Sequence, residues 1–383
     1  MSNTEIQDPV FRRFYSHLNS AVAISQAYDG RVPFAHFIKN YFSQHKKFGS
    51  KDRRQISELC YCYFRLGRSY LQLTTEQKIV KGYWLSKAIW PNEWLSFFNS
   101  FHLPQASPDQ IFPAAHSLSA SISNDAFVGS HLVQPDLFLR IRPGYKDSVI
   151  DKLKAAGISF VLKDDSLRLS NSVRVEAAVQ LNREVVVQDL SSQRVAELLQ
   201  LYKTVKQSET VPLVWDCCAA SGGKSILASD VLQQMELTAS DIRPSIIANL
   251  KKRFREAGMK NYSALVADAT HANPARQFDL IITDVPCTGS GTWARTPEQL
   301  LYFEPASIDT FVQLQSAITS NATRYLKPGG YLLYITCSVF EKENEGQVSL
   351  LEKAGLQLVE QRVFRGYEEK ADTMFAALMK EPS

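Results

Sequence analysis

Hydrophobic positions along the 383 residues fall into three regimes. Over residues 6–100 apolar side chains recur at three- and four-residue intervals. RRFYSHLNSAVAISQAY and KDRRQISELCYCYFRLGRSYL show the spacing best, and it predicts amphipathic helices. Ser50 with Asp52 marks an N-cap region before the second of these. Pro91, Pro104, Pro108 and Pro113 then interrupt the pattern, and LPQASPDQIFPAAHS reads as a helix connection or linker.

From residue 131 the pattern changes. DLFLRIRPG alternates like a strand ending in a Pro-Gly turn. YKDSVIDKLKAAGI predicts a helix stopped near Gly157, and SFVLKDDSLRLS one or two short strands. Together they make a small α+β unit. QDLSSQRVAELLQLY, residues 188–202, opens another helix with Ser191 and Ser192 as candidate caps.

From residue 211 apolar strands alternate regularly with helices. The strands are VPLVWDCC, ELTASD, YSALVAD, FDLIITDV and GGYLLYITCS, with helices over 224–235, 244–257 and 307–326 between them. LQLVEQRVF and TMFAALMK supply a closing pair of strands. Such alternation predicts an α/β domain, a doubly wound, mostly parallel sheet covered on both faces. The expected division is a helical domain and linker over 1–130, a small α+β subdomain over 131–185, and the large α/β domain over 186–383.

Composition adds limits. A hydrophobic fraction of 45% and a charged fraction of 21% are ordinary globular values. No run approaches the roughly 20 apolar residues of a membrane-spanning helix. MSNTEIQDPVFRRFY lacks a basic-then-apolar leader pattern, so a cytoplasmic protein without a membrane partner is expected. Cys60, Cys62, Cys217, Cys218, Cys287 and Cys337 form no CxxC pair and have no suitably spaced histidine, which argues against a metal site. Lys and Arg outnumber Asp and Glu by 14 to 9 over residues 1–130, whereas residues 216–383 carry 17 against 20. The basic excess at the front suits a polyanion partner.

In a doubly wound sheet ligands bind beyond the carboxyl ends of the strands. The residues placed there are Asp216-Cys217-Cys218, Asp241, Asp268, Asp284 with Pro286-Cys287, and Thr336-Cys337-Ser338. The loop Cys218-Ala219-Ala220-Ser221-Gly222-Gly223-Lys224 is built of small residues and feeds a helix N-terminus with unsatisfied N–H groups. It is neither GxGxxG nor a Walker loop. A carboxylate at Asp241, further along on the next strand, suits an adenosine cofactor whose ribose hydroxyls want an acceptor. Asp268 would lie at the adenine end, or simply cap the following helix. Lys224 would serve the cofactor loop or be a solvated first-turn residue.

DCCAASGGKS, DVPCTGSGTWARTPE and YITCSVFEKENE resemble the cofactor loop and the two cysteine motifs of the Sun (Fmu/RsmB-like) family of RNA cytosine-C5 methyltransferases. QDLSSQRVAELL resembles that family's lead-in, and the likeness spans roughly 131–383. More loosely, FGSKDRRQISELCYCYFRLGR resembles a NusB-like helical domain. Ser221 departs from the family, which usually has proline there.

The resemblance implies a Rossmann-like class I methyltransferase domain preceded by a small RNA-binding subdomain. It implies S-adenosylmethionine as cofactor, held by residues 218–224, Asp241, Asp268 and Asp284, and RNA, most readily ribosomal RNA, as substrate of a monomer. Cys337 would attack carbon 6 of cytosine, Cys287 would promote release of the methylated base, and Asp284 would engage the base edge. The residues alone do not rank the sulfurs, because cytosine methyltransferases acting on DNA attack with the Pro-Cys cysteine; the TCS motif distinguishes the two arrangements.

The basic run at 46–54, Arg140, Arg142 and Arg295 are candidate phosphate contacts, and Trp293 either stacks on a base or packs. The four remaining cysteines read as packing residues. A transfer RNA substrate and a non-catalytic RNA-binding assembly factor are the alternatives; the intact cysteines, Asp284 and cofactor loop weigh against the second.

Overall fold

A computed structural model describes residues 9–86, 101, 103, 110–112, 117–206 and 210–382. Most of the proline-punctuated stretch, including Pro91, Pro104, Pro108 and Pro113, lies outside the described residues. The chain clusters into two compact units, one of residues 1–116, 123–134 and 293–305, the other of 117–122, 135–292 and 306–383.

The first unit is helical: α1 (Pro9–Ala27), α2 (Phe34–Gln44), α3 (Ser50–Phe64), α4 (Thr75–Ser86) and α5 (Asn124–Ser130). Leu18, Ala21 and Ile24 repeat at helical spacing on the buried face of α1, and Phe34, Ile38 and Phe42 do so on α2. Cys60 and Cys62 are buried in the same core, so these two thiols pack. The α3 cap differs by one residue from expectation. Gly49 is the N-cap, and its N–H donates to Asp52 Oδ2 at 3.1 Å; Ser50 is already helical.

Segment 293–305, far along the chain and holding the short helix α11 (Gln299–Tyr302), completes this core. Trp293 is 1% exposed, between Phe112 and Phe303, and is therefore a packing residue. Arg65 donates to the carbonyls of His131 and Ala294 at 2.6 and 3.0 Å. Tyr302 donates its hydroxyl to the carbonyl of Tyr28 at 2.6 Å.

The second unit holds two sheets among the described residues. In the smaller, β1 (Leu137–Ile141), β2 (Val161–Lys163), β3 (Ser166–Leu169) and β4 (Val185–Val187) run in the order β2-β3-β1-β4, all antiparallel. Helix α6 (Lys146–Ala155) packs on it through Val149 and Leu153. Arg140 and Arg142, offered above as phosphate contacts, are turned inward to Asp230, at 2.6 and 2.8 Å. Their side chains are only 8% and 12% exposed, so both serve the fold.

Helices α7 (Leu190–Arg194) and α8 (Ala196–Val205) lead into the larger sheet. Its strands are β5 (Leu213–Asp216), β6 (Glu236–Asp241), β7 (Tyr262–Val266), β8 (Phe278–Asp284), β9 (Leu326–Thr336), β10 (Gln357–Arg365) and β11 (Thr373–Lys380). They lie in the order β10-β11-β9-β8-β5-β6-β7. β5 to β9 pair parallel, and β11 and β10 close the edge antiparallel.

Successive strand residues face opposite sides, and each side has its own core. Val214, Leu280 and Leu333 pack with residues of α9 (Gly223–Leu232) and α10 (Pro244–Glu256). Trp215, Ile281 and Leu332 pack with α12 (Ser307–Thr323) and α13 (Glu345–Lys353). The fold is thus α/β with a doubly wound, Rossmann-like sheet. The chain leaves β5 toward β6 on one side and returns at β8 on the other, which makes the β5/β8 crevice the switch point where ligands bind.

Candidate active site

β5 delivers Asp216 to that crevice fully buried. Its Oδ2 accepts from the Ser225 hydroxyl at 2.6 Å, while its Oδ1 has no hydrogen-bond partner. Burial, with Asp284 and Asp241 nearby, pushes its carboxyl up to about 7 against the Ser225 hydrogen bond and the Lys224 ammonium. Cys217 is buried beside Cys218, with the two sulfurs 4.0 Å apart.

The loop that follows is shaped by two left-handed residues, Ala220 at φ +45° and Gly222 at φ +84°. Gly222 is required twice over, because a Cβ there would lie 2.4 Å from the Phe254 ring. At Gly223 a Cβ would meet nothing within 4 Å, so the backbone at the start of α9 faces open space. Ser221 is held by Arg253, which donates to its carbonyl at 2.9 Å and its hydroxyl at 2.6 Å. Lys224 is nearly buried and bridges Ser192 Oγ at 2.8 Å and Asp284 Oδ2 at 3.1 Å.

At the end of β6, Asp241 accepts from Arg243 through its backbone N–H, Nε and Nη2 at 2.9, 2.9 and 3.0 Å. Burial would raise this carboxyl; the hydrogen bonds from Arg243 and the Ala220 N–H outweigh it and hold it below its ordinary value. The Arg243 side chain is 58% exposed, so its hold on Asp241 is at the surface. Asp268 accepts from the Thr270 N–H and hydroxyl at 2.9 and 2.7 Å, hydrogen bonds that lower its carboxyl. That is a local turn.

β8 and β9 are parallel neighbours, pairing Asp284 with Ile335, and the residues just beyond them are the two cysteine motifs. The result is a pair of thiols with Cys287 Sγ and Cys337 Sγ 3.3 Å apart. Both are partly exposed. A hydrogen bond to Cys337, burial and the Glu343 charge push the Cys287 thiol well up. Gly291 N–H donates to the Cys337 carbonyl at 2.8 Å. A Cβ on Gly291 would lie 2.0 Å from the Thr373 carbonyl oxygen and 2.9 Å from that of Cys337, so only glycine fits this crossing.

Behind the thiols lies a polar cluster that sequence reasoning missed. Glu343, fully buried, accepts from the Thr288 N–H at 3.0 Å, the Thr288 hydroxyl at 2.6 Å and Gln315 Nε2 at 2.9 Å. The Ser338 hydroxyl donates to it as well. Asn344 accepts from Thr336 Oγ1 at 2.6 Å and donates to the Ser338 carbonyl at 3.0 Å. One signal was available: Gln315 falls on the apolar stripe of α12 with Ile308, Ile318 and Ala322, and a polar residue on a buried face needs a partner.

The strand ends therefore gather the residue 218–224 loop, Asp216, Asp241, Asp284 and two adjacent thiols in one half of one sheet. Among the described residues no group of three or more His, Cys, Asp or Glu is placed to hold a metal ion. No described helix is long and apolar enough to cross a membrane.

Comparison with known proteins finds methyltransferases. Residues 200–375 match the family model described as 16S rRNA methyltransferase RsmB/F. Ribosomal RNA small subunit methyltransferase B of Xanthomonas campestris is 31% identical over 191 residues, 47% of this chain and 42% of that protein. The protein of the same name from Xylella fastidiosa is 31% identical over 282 residues, 68% of this chain and 63% of that protein. The chain thus spans less than two thirds of the length of either relative. The solved structure of the protein PH0851 has a TM-score of 0.68 at 18% identity, covering 96% of this chain and 98% of its own, a likeness of fold. Residues 200–375 thus carry a domain of the RsmB/F methyltransferase family.

Proposed function

We propose that the protein is an S-adenosylmethionine-dependent RNA methyltransferase acting on carbon 5 of a cytosine, with Cys337 as nucleophile. The observation that carries this reading is the pair of thiols 3.3 Å apart at the ends of adjacent strands, beside the Lys224–Asp284 ion pair. A packing or non-catalytic role gives no reason for two partly exposed thiols to meet at a ligand crevice.

The loop fits the cofactor. The backbone at Gly223 opens onto free space, Asp216 offers an unpartnered buried oxygen, and Asp241 can exchange the exposed Arg243 guanidinium for ribose hydroxyls. Residues 218–224, Asp241, Asp268 and Asp284 would hold it. When bound, the cofactor supplies an electrophilic methyl group on a sulfonium.

Carbon 5 of cytosine is a poor nucleophile. The Cys337 thiolate forms a bond to carbon 6 and makes the ring electron-rich at carbon 5. Asp284, beside Lys224, accepts from a proton held at N3 of the base, and that proton neutralises the negative charge that reaches N3 as the Cys337 bond forms. After transfer the carbon 5 proton passes to solvent and its bonding pair expels the Cys337 thiolate, with Cys287 promoting that release.

Ribosomal RNA is the proposed substrate, on the strength of the two small subunit methyltransferases above, with action in the cytoplasm as a monomer. The exposed Lys46, Lys47, Lys51 and Arg54 and the small sheet are the proposed RNA-binding parts.

Incubation with ribosomal RNA and methyl-labelled cofactor should place the label on carbon 5 of a cytosine, and Cys337→Ala should abolish it. Full labelling by that variant, or label on another atom, overturns the assignment.

A further inference from the structure

All six cysteines are free thiols, and their surroundings divide them. Cys60 and Cys62 lie two apart on α3, a spacing that does not turn one side chain toward the other, and both are buried. Cys217 and Cys218 are consecutive, their sulfurs are 4.0 Å apart, and Cys217 is 1% exposed. Cys287 and Cys337 differ on every count. They are 50 positions apart along the chain, both are partly exposed, and their sulfurs lie 3.3 Å from one another.

The backbone suits this pair to a covalent bond. β8 and β9 are neighbouring parallel strands. Such strands lie about 4.8 Å apart, within the Cα separation of about 4.4–6.8 Å that a disulfide spans. The sulfurs need close only from 3.3 Å to about 2.0 Å. Thr288 and Ser338, the residues after the two cysteines, both donate to the buried Glu343, which keeps the two loops side by side.

We propose that Cys287 and Cys337 form a redox switch: hydrogen peroxide joins them in a disulfide that stops methyl transfer, and a small thiol reopens it. First, a thiolate sulfur attacks the peroxide O–O bond, becomes a sulfenic acid and releases hydroxide. The other sulfur, as its thiolate, then attacks the sulfenic sulfur; the S–O bond breaks and a second hydroxide leaves. The two hydroxides take up the two thiol protons, so two thiols and one hydrogen peroxide give one disulfide and two waters. Two electrons pass from the sulfurs to the peroxide. Either cysteine can take the first step. Its neighbour closes the bond within the same molecule, ahead of further oxidation to sulfinic acid. That one bond removes the attacking and the releasing thiol together, and thiol–disulfide exchange returns both.

The effect on activity rests on the proposed roles of the two thiols; formation of the bond does not. Full-length reduced protein is exposed to hydrogen peroxide, its remaining thiols are blocked with N-ethylmaleimide, and it is digested without reductant for peptide mass spectrometry. The peptides carrying Cys287 and Cys337 should appear joined and two hydrogens lighter than their sum. Methyl transfer to ribosomal RNA should fall in proportion to the joined fraction and return after dithiothreitol. In Cys287→Ala the joined peptide should vanish, and Cys337 should accumulate as sulfinic or sulfonic acid, which dithiothreitol does not reverse.

The proposal is overturned if peroxide leaves both thiols free, oxidises them separately, joins Cys217 to Cys218 instead, or leaves methyl transfer intact in the joined protein. If the bond forms and reopens while fully reduced protein transfers no methyl group, the fault lies with the proposed reaction.

Discussion

Asp216 shows how one residue links the site to stability. Its carboxyl titrates near 7 in the folded protein against 3.8 when unperturbed, so between those values the folded state binds more protons than the unfolded one. Stability contributed by this group is present below about pH 3.8 and is lost as pH rises toward 7. Urea unfolding at a series of pH values should show Asp216→Asn flattening that slope relative to wild type. An identical slope would mean that the residue is not buried as described. Gly291 is a second single-residue test. Placing a Cβ 2.0 Å from the Thr373 carbonyl forces the backbone apart, and Gly291→Ala should cost about 1–3 kcal/mol, the range for overpacking, measured as a lowered urea midpoint. Residues of these kinds were unequally legible. The cysteines, Asp284 and the 218–224 loop declared themselves through strand-end position, whereas Glu343 reaches Thr288 across 55 positions of chain, and no local pattern encodes such a contact.

At the scale of elements, the strands with long apolar runs, β8, β9 and β11, were readable because burial on both faces leaves a continuous hydrophobic signature. β4, three residues long, and α13, whose buried side chains are only Gln347, Val348 and Leu351, were not read, since neither carries enough apolar positions to show a period. Arg140 and Arg142 read as surface charge because their partner Asp230 lies on α9, 88 or more positions away. Asp230→Ala should leave two nearly buried guanidinium groups unpaired and cost about 3–5 kcal/mol, read as a lower unfolding midpoint. Arg253 links elements as well, joining α10 to the 218–224 loop at Ser221 and to Asn182 at 3.0 Å. We expect Arg253→Ala to weaken S-adenosylmethionine binding several-fold by calorimetry. Ser221→Pro should restore part of the loss, because proline stiffens the loop without a partner. No rescue would argue that Arg253 acts elsewhere.

For the whole molecule, the linear order of the motifs hides how the chain is shared out. Residues 293–305 directly follow the Cys287 loop yet cluster with the helical unit, supplying Trp293, Leu300 and Phe303 as buried residues. A fragment of residues 1–134 would lack those side chains and the Ala294 carbonyl that Arg65 binds. It should unfold less cooperatively and at lower temperature than the full chain, as followed by circular dichroism. Hydrophobic periodicity identified the class of each part, but it cannot show that a segment from one half packs into the other. The central claim, that two thiols 3.3 Å apart divide attack and release, is tested most directly by trapping. Cys287→Ala, given substrate RNA and cofactor, should accumulate a denaturation-resistant protein–RNA adduct that peptide mass spectrometry maps to Cys337; no adduct, or one mapped elsewhere, would contradict it.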